Sequence, residues 1–375
     1  MRKIWISICI VSVLALAILV VVIQTKKEPG EIKIGAILPL TGDLGMYGTW
    51  AKQGIDLAIE EVNSVGGIDG SKIKIIYEDD QGDAKEAINA MQKLITIDRV
   101  PVIIGPLTSS SVLSVAPVAE KSKIVIISPT ASSPEITKAG DYIFRNWPSD
   151  AFEGKIMAKF AFKKLNLRKV AVIYINNDYG VGAKNVFVKE FGDLGGTILI
   201  AESYEQGSTD FRTQLSKIKN ELPDAIYAPG YSKELGLILR QAKEMRIQTQ
   251  FLSGVDFEGP KTLEIAGEAA EGAIYATPGF NSESKEPVVQ KFQKKFKAKY
   301  GKEAENFAAH SYDATKIIVQ VIRNRGYSSS GIKRALYKIA NYPGVTGITT
   351  FDEFGDVEKS YLIKTVKNGH FVVFE

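Results

Sequence analysis

From Glu31 onward, short runs of β-branched apolar residues alternate with longer stretches in which apolar positions recur every three or four residues. That alternation predicts strands and helices in turn, the pattern of a parallel sheet wound on both faces by helices. EIKIGAILPL reads as a strand ending in a Pro/Thr/Gly loop. The helix after it carries Ala51, Ile55, Ala58, Ile59 and Val62 on one face and stops at Gly66-Gly67. Strand patterns follow at KIKIIYEDD, VPVIIG, KIVIIS and YIFRNW. The series then restarts with RKVAVIYINNDYG, GTILIAESY, PDAIYAPG and TQFLSG, separated by helices such as Gly182 to Phe191 and Lys233 to Met245. DAIYAPGYSKELGLILRQAKE is laid out like PVIIGPLTSSSVLSVAPVAEK, each a strand, a turn, a Ser and a long helix. The fold class is therefore α/β, with two doubly wound parallel-sheet lobes.

Two loops stand out within this pattern. VPVIIGPLTSSS and KIVIISPTASS each break a buried strand into a Ser/Thr-rich turn that opens a helix, whose first N–H groups have no partner within the helix. Hydroxyls of Ser109, Ser110, Ser111, Thr130, Ser132 and Ser133 beside those N–H groups would form a polar cup suited to a carboxylate. The alternative for each is a plain helix cap. Ligands of open parallel sheets bind beyond the carboxyl ends of the strands, so two facing lobes would put both sets of loops on one cleft that closes by a hinge.

Length and charge narrow the function. A chain of 375 residues suggests about two domains. Setting aside Arg2, Lys3, Lys26, Lys27 and Glu28 leaves 43 basic against 42 acidic residues, which excludes the basic face of a nucleic-acid binder. The single cysteine, Cys9, lies in the first apolar segment, so the folded part has no thiol for a disulfide, a thiolate metal site or cysteine catalysis.

That first segment, residues 4–23, is an uncharged run that would span roughly 30 Å as a helix. Arg2 and Lys3 before it favour a cytoplasmic N-terminus, which would put the folded part outside. ILVVVIQTKK offers no A-x-A cleavage pattern, so an uncleaved transmembrane anchor is expected, with a cleaved signal as the alternative.

KIGAILPLTGDLGMYGTWAKQGIDLAIEEVNSVGGIDG, IIYEDDQGDAKEAI, IIGPLTSSS, ISPTASSPEIT, YIFRNWPSD, IYINNDYG, LRQAKE and GVTGITTFDEFGDV occur in this order along the chain. In motif order and spacing from Glu31 to Glu375 it resembles the leucine/isoleucine/valine-binding family of type I periplasmic binding proteins. The resemblance implies a two-lobed receptor outside the cytoplasm that binds a small solute in the interlobe cleft and hands it to an ABC permease, without catalysis, cofactor or metal. It also implies three crossings between lobes. That places residues 1–30 as the anchor or signal, 31–147 and 275–340 as lobe 1, and 148–274 and 341–375 as lobe 2.

Site roles follow from the same resemblance where the motifs match. Ser109 of GPLTSSS, with Ser110 beside it, corresponds to the serine that holds the ligand carboxylate. Ala131 of SPTASS offers a carbonyl to the ligand ammonium, and Ser132 stands where the family has a threonine touching both groups. Tyr47 would form an aromatic wall, Tyr179 and Tyr231 are the tyrosines of the second lobe, and Asp150 is an acid near the hinge. The family's ammonium-pairing acid falls at Val255 or Asp256. If Asp256 faces the cleft an α-amino acid is the guest, apolar or branched-chain by the family pattern. If Val255 does, an amide, urea or an aromatic acid becomes the ligand. A sensing module of the same fold, coupled to a receptor or regulator, is the alternative to transport.

Competing signals are weak. In GVDFEGPKT, Pro260 separates Gly259 from Lys261-Thr262, which breaks the phosphate-loop order. Gly42, Gly45 and Gly48 lack dinucleotide-loop spacing, and no G-x-S-x-G elbow occurs. Glu78, Asp79 and Asp80 could suggest a cation site, but Asp79 and Asp80 read as a strand end, with Asp83 capping the next helix. The lysines between Lys285 and Lys302 read as a solvated face around an apolar stripe of Phe292 and Phe296.

Overall fold

The computed structural model describes residues 30–374. Its first sheet holds five parallel strands, β1 (Ile32–Leu38), β2 (Ile73–Asp79), β3 (Val102–Ile104), β4 (Val125–Ser128) and β5 (Ile143–Arg145), in the order β2-β1-β3-β4-β5. Every residue of β3, β4 and β5 is buried, because helices cover both faces. That is why these strands read as unbroken apolar runs and not as alternating ones. Helices Gly45–Ser64 and Asn306–Arg325 pack so closely on this lobe that a Cβ at Gly54 would lie 2.1 Å from the Ala308 carbonyl oxygen.

The second sheet begins with five parallel strands, β6 (Lys169–Ile175), β7 (Thr197–Tyr204), β8 (Ala225–Tyr227), β9 (Gln250–Ser253) and β10 (Ile274–Pro278). The chain then returns to the first lobe, where a short hairpin of β11 (Tyr342–Gly344) and β12 (Gly347–Thr349) is tied down by Asp313. The Asp313 carboxylate accepts from Val345 N at 2.9 Å, from Thr346 N at 2.8 Å and from the Thr346 hydroxyl at 2.7 Å. A last crossing leads to β13 (Tyr361–Lys367) and β14 (His370–Val373), which complete the order β14-β13-β10-β9-β8-β6-β7 with two antiparallel strands. Sheet order reverses between β1 and β3 in one lobe and between β6 and β8 in the other. These are the switch points where loops diverge and leave room for a ligand.

Two boundaries differ from the sequence-based division. β10 pairs with β9 and β13 in the second sheet, so the second crossing falls after Pro278 and not at 275. The hairpin at 342–349 belongs to the first lobe through Asp313, so the third crossing comes after it and not at 341. Both depend on pairing between distant segments, which local pattern does not carry. The antiparallel edge was missed as well, although it had a signal. Asn368-Gly369 is a two-residue turn with both residues at positive φ, +54° and +71°, as hairpins favour.

The apolar segment at residues 4–23, expected to be a transmembrane anchor, lies outside the described residues. Among the described residues no helix is long and apolar enough to cross a membrane.

Candidate functional site

A small cavity, of about 40 Å³, lies between the closed lobes. Almost all of its wall comes from the loops and first helical turns that follow the strand ends. Pro39, Leu44 and Tyr47 follow β1, Leu107, Thr108 and Ser109 follow β3, and Thr130, Ala131 and Ser132 follow β4. Trp147 follows β5, Tyr179 follows β6, Tyr231 follows β8, and Val255 and Asp256 follow β9. Phe307 joins them from the start of helix Asn306–Arg325.

The first-lobe wall is a sutured pair of loops. Thr108 caps helix Ser109–Ser122 by accepting from Ser111 N. The Ser109 oxygen accepts from Ser132 N at 3.3 Å and Ser133 N at 3.1 Å, which leaves its own proton free to donate into the cavity. Thr130 and Ser128 donate to the carbonyls of Leu107 and Pro106, each fastening the second loop to the first. Behind both, the fully buried Arg145 forms a two-point pair with Asp356, at 2.7 and 2.6 Å, and donates to the carbonyls of Ser132 and Ser133. On the β1 side, Asp79 accepts from Leu40 N, Thr41 N, Gln81 N and the Thr41 hydroxyl. Those bonds hold its carboxyl below the usual range although burial opposes them. Asp83 accepts from Lys85 N and Glu86 N as the cap of helix Ala84–Lys93.

The second-lobe wall is aromatic and acidic. Tyr179 and Tyr231 stack with centroids 5.8 Å apart, and Tyr47 meets Tyr231 at 6.3 Å from the opposite lobe. Tyr47, Phe307 and Trp147 continue as a chain of rings at 4.8 and 5.6 Å. Asp256 sits on the short turn Val255–Glu258 just past β9 and is only 8% exposed. Burial pushes its carboxyl up to about 7, against the nearby Tyr179 and Tyr47 hydroxyls, which favour the anion. A site with hydroxyls and helix N–H groups on one wall, an acid on the other and aromatic rings between can hold a small molecule with an anionic and a cationic end beside an apolar body.

Eight of the sequence-selected residues, Tyr47, Ser109, Thr130, Ala131, Ser132, Tyr179, Tyr231 and Asp256, are brought together on this cavity. Val255 and Asp256 both line it, so the choice between them does not arise from geometry. Ser110, Ser111, Ser133 and Asp150 do not line it. Ser110 follows Ser109 on the helix and turns to the other lobe, where its oxygen accepts from Asp178 N at 3.3 Å. Asp150 is buried behind the wall and accepts from the Ser132 hydroxyl at 2.9 Å. Trp147 and Phe307 were not foreseen. Trp147 had a signal in its place just after a strand, and Phe307 had none, since its helix reaches the site from a distant part of the chain.

The lobes touch across the cleft. Lys233 pairs with Asp43, Ser232 N donates to the Tyr47 hydroxyl at 3.2 Å, and Gly182 packs so near Ser133 and Pro134 that a Cβ would lie 2.9 Å from the Pro134 ring. Two doubly wound lobes closed over a lined cavity at their strand ends define a bilobal solute-binding protein, of the type I periplasmic binding protein fold. The chain belongs to the family described as periplasmic binding proteins, whose profile matches residues 31–370. It is a family of solute-binding proteins and not of enzymes.

Individual relatives agree. The chain is similar to the leucine-, isoleucine-, valine-, threonine- and alanine-binding protein of Pseudomonas aeruginosa, at 29% identity over 92% of this chain and 89% of that protein. Among solved structures, the leucine-binding protein LivK from Thermotoga maritima superimposes with a TM-score of 0.86 at 34% identity, covering 92% of this chain and 98% of that one. The branched-chain amino acid transporter substrate-binding protein LivJ from Streptococcus pneumoniae, solved with isoleucine, gives 0.85 at 32% identity, covering 92% and 99%.

Proposed function

We propose that this chain is the extracytoplasmic solute receptor of an ABC importer and that it binds a branched-chain or other apolar α-amino acid between its lobes. One observation carries the reading: Asp256 faces the Ser109–Ser132 wall across a small cavity framed by Leu44, Leu107, Trp147 and Phe307. The ligand carboxylate accepts from the Ser109 hydroxyl and the free N–H groups that open helix Ser109–Ser122. Its ammonium donates to Asp256 and to the Ala131 carbonyl, and its apolar side chain packs on the rings. The names borne by the relatives point to the same class of solute.

The two lobes open and close about the three crossings, and contacts to both walls at once favour the closed form. The loaded, closed form is what an ABC permease receives. Residues 4–23 tether the receptor to the outer face of the cytoplasmic membrane. The test is calorimetric titration of ligand-stripped protein with leucine, isoleucine, valine, other amino acids, simple amides, urea and aromatic acids. One-to-one binding of an apolar amino acid, lost in Asp256→Ala, is the expected result. Binding of an amide or an aromatic acid alone would move the ligand class while keeping the receptor role.

A further inference from the structure

Behind the second-lobe wall lies a polar group that ligand contact does not account for. Glu153 is 1% exposed and sits one turn after Asp150 on helix Asp150–Lys159. Its Oε1 has no hydrogen-bond partner. It presses against the backbone beside Asp256, where a Cβ at Gly254 would lie 2.1 Å from Oε1 and 3.2 Å from the Tyr179 hydroxyl. Around it stand the buried phenols of Tyr179 from helix Asp178–Asp193, Tyr227 from β8 and Tyr361 from β13, the last two with hydroxyls that have no partner. The charged groups facing it are two further acids, Asp150 on its own helix and Asp256 on the turn after β9, while the Val255 N–H favours its anion. Arg145, on β5, is the cation that acts on Asp150, and it is already held by Asp356.

Three carboxyl groups buried at one place cannot all ionise, because each desolvated charge raises the energy of the next. At least one proton stays in such a group, and it belongs to the group as a whole. Burial first, then the charges of Asp150 and Asp256, hold the Glu153 carboxyl well above the usual range, and its Oε1 accepts from no donor that would favour the anion. A cation placed against Asp256 offsets the charge that keeps Glu153 neutral.

We propose that Glu153 is a proton-holding positioning residue and that loading the cavity with an ammonium-bearing ligand drives a proton from the Asp150–Glu153–Asp256 group into solution. The inference rests on the proposed amino-acid ligand. The balance is simple: zwitterionic ligand and protonated receptor give the complex and one proton taken up by the buffer. Affinity therefore rises with pH wherever release occurs, by about tenfold per pH unit where release is complete.

The experiment is leucine titration of the full chain, freed of carried ligand, in buffers of different ionisation enthalpy between about pH 5.5 and 8. The expected result is a binding heat that changes with the buffer, corresponding to release of up to about one proton. Glu153→Gln keeps the shape and the neutral state, so near pH 8, where Asp256 is already largely ionised, it should bind leucine with little proton release and a flatter pH profile. Glu153→Asp should restore release. A buffer-independent heat in the unsubstituted protein overturns the inference and leaves the proposed function standing, and this arm needs no variant to fold. Release from Glu153→Gln near pH 8 equal to that of the unsubstituted protein also overturns it. Silence toward leucine and all other amino acids sinks both readings.

Discussion

Lys233 Nζ lies 2.7 Å from the Asp43 carboxylate, although 190 residues and the whole width of the cleft separate their positions in the chain. Asp43 is in the loop after β1 and Lys233 is in the first turn of helix Ser232–Glu244, so the pair bridges the cleft mouth without lining the cavity. Both groups are partly exposed, which limits the pair to about 0–1 kcal/mol. Lys233→Met should leave thermal stability unchanged and speed leucine release by up to about fivefold. Stopped-flow release measured at low and high salt checks this. The unsubstituted protein should lose its advantage as salt screens the pair, and Asp43→Lys combined with Lys233→Asp should recover it.

Ser109 has two tasks, which makes its substitution informative. Ser109→Ala removes a donor to the ligand and the acceptor for Ser132 N and Ser133 N, so binding should weaken by about 1–3 kcal/mol. Ser132→Ala should weaken it by a similar amount and also leave Asp150 without its hydroxyl partner. Calorimetry on both variants decides, and unchanged affinity in both would remove the carboxylate cup from the account.

Arg145→Lys tests the support behind that cup. A lysine cannot reproduce the two-point pair with Asp356 or reach the carbonyls of Ser132 and Ser133 at the same time. Breaking a buried pair in this way should cost about 3–5 kcal/mol of stability. Denaturant unfolding measures it, and ligand affinity should fall with it because the loop at 132–133 loses its backing.

Stability of the unliganded protein should depend on pH through its buried acids. Burial pushes Asp256 and Glu305 up to about 7, so the folded state holds protons there that the unfolded state has lost. Their favourable contribution is complete at low pH and disappears as pH rises through about 7. Lowering the pH from about 8 to about 6.5 should therefore stabilise the protein, by at most about 1.4 kcal/mol per group per pH unit. Below about 6.5 the gain should continue down to about pH 4, at roughly half the slope of two acids alone, because burial pushes His310 down to about 3 and the unfolded state there takes up one proton that the folded one refuses. Denaturant midpoints across this range check the shape, and Glu305→Gln, at a position that does not line the cavity, should flatten the upper slope.

Much of this molecule was legible in its sequence because parallel strands covered on both faces leave unmistakable apolar runs. VIIG and VIIS predicted β3 and β4, and the residues after each run are the ones that line the cavity. What failed to show was anything that depends on rotation or on distant pairing. Ser110 differs from Ser109 by one step of a helix, about 100° of turn, and so faces the other lobe. Glu153 looks like an ordinary polar helix position, and its burial follows from β8, β13 and the turn at Gly254 closing around it. β10 reads as a strand in isolation, and its sheet is decided by β13, more than 80 residues later.

That late partner has a consequence for how the protein is made. β13 supplies the neighbour that covers one edge of β10, and helix Asn306–Arg325 supplies a buried face of the first lobe. Neither lobe can therefore be finished from the first half of the chain, and a nascent polypeptide ending near residue 350 would carry β10 with its backbone unpaired along that edge. An exposed edge strand invites pairing with a second chain. Cooperative folding, and protection from aggregation, must wait for the last dozen or so residues.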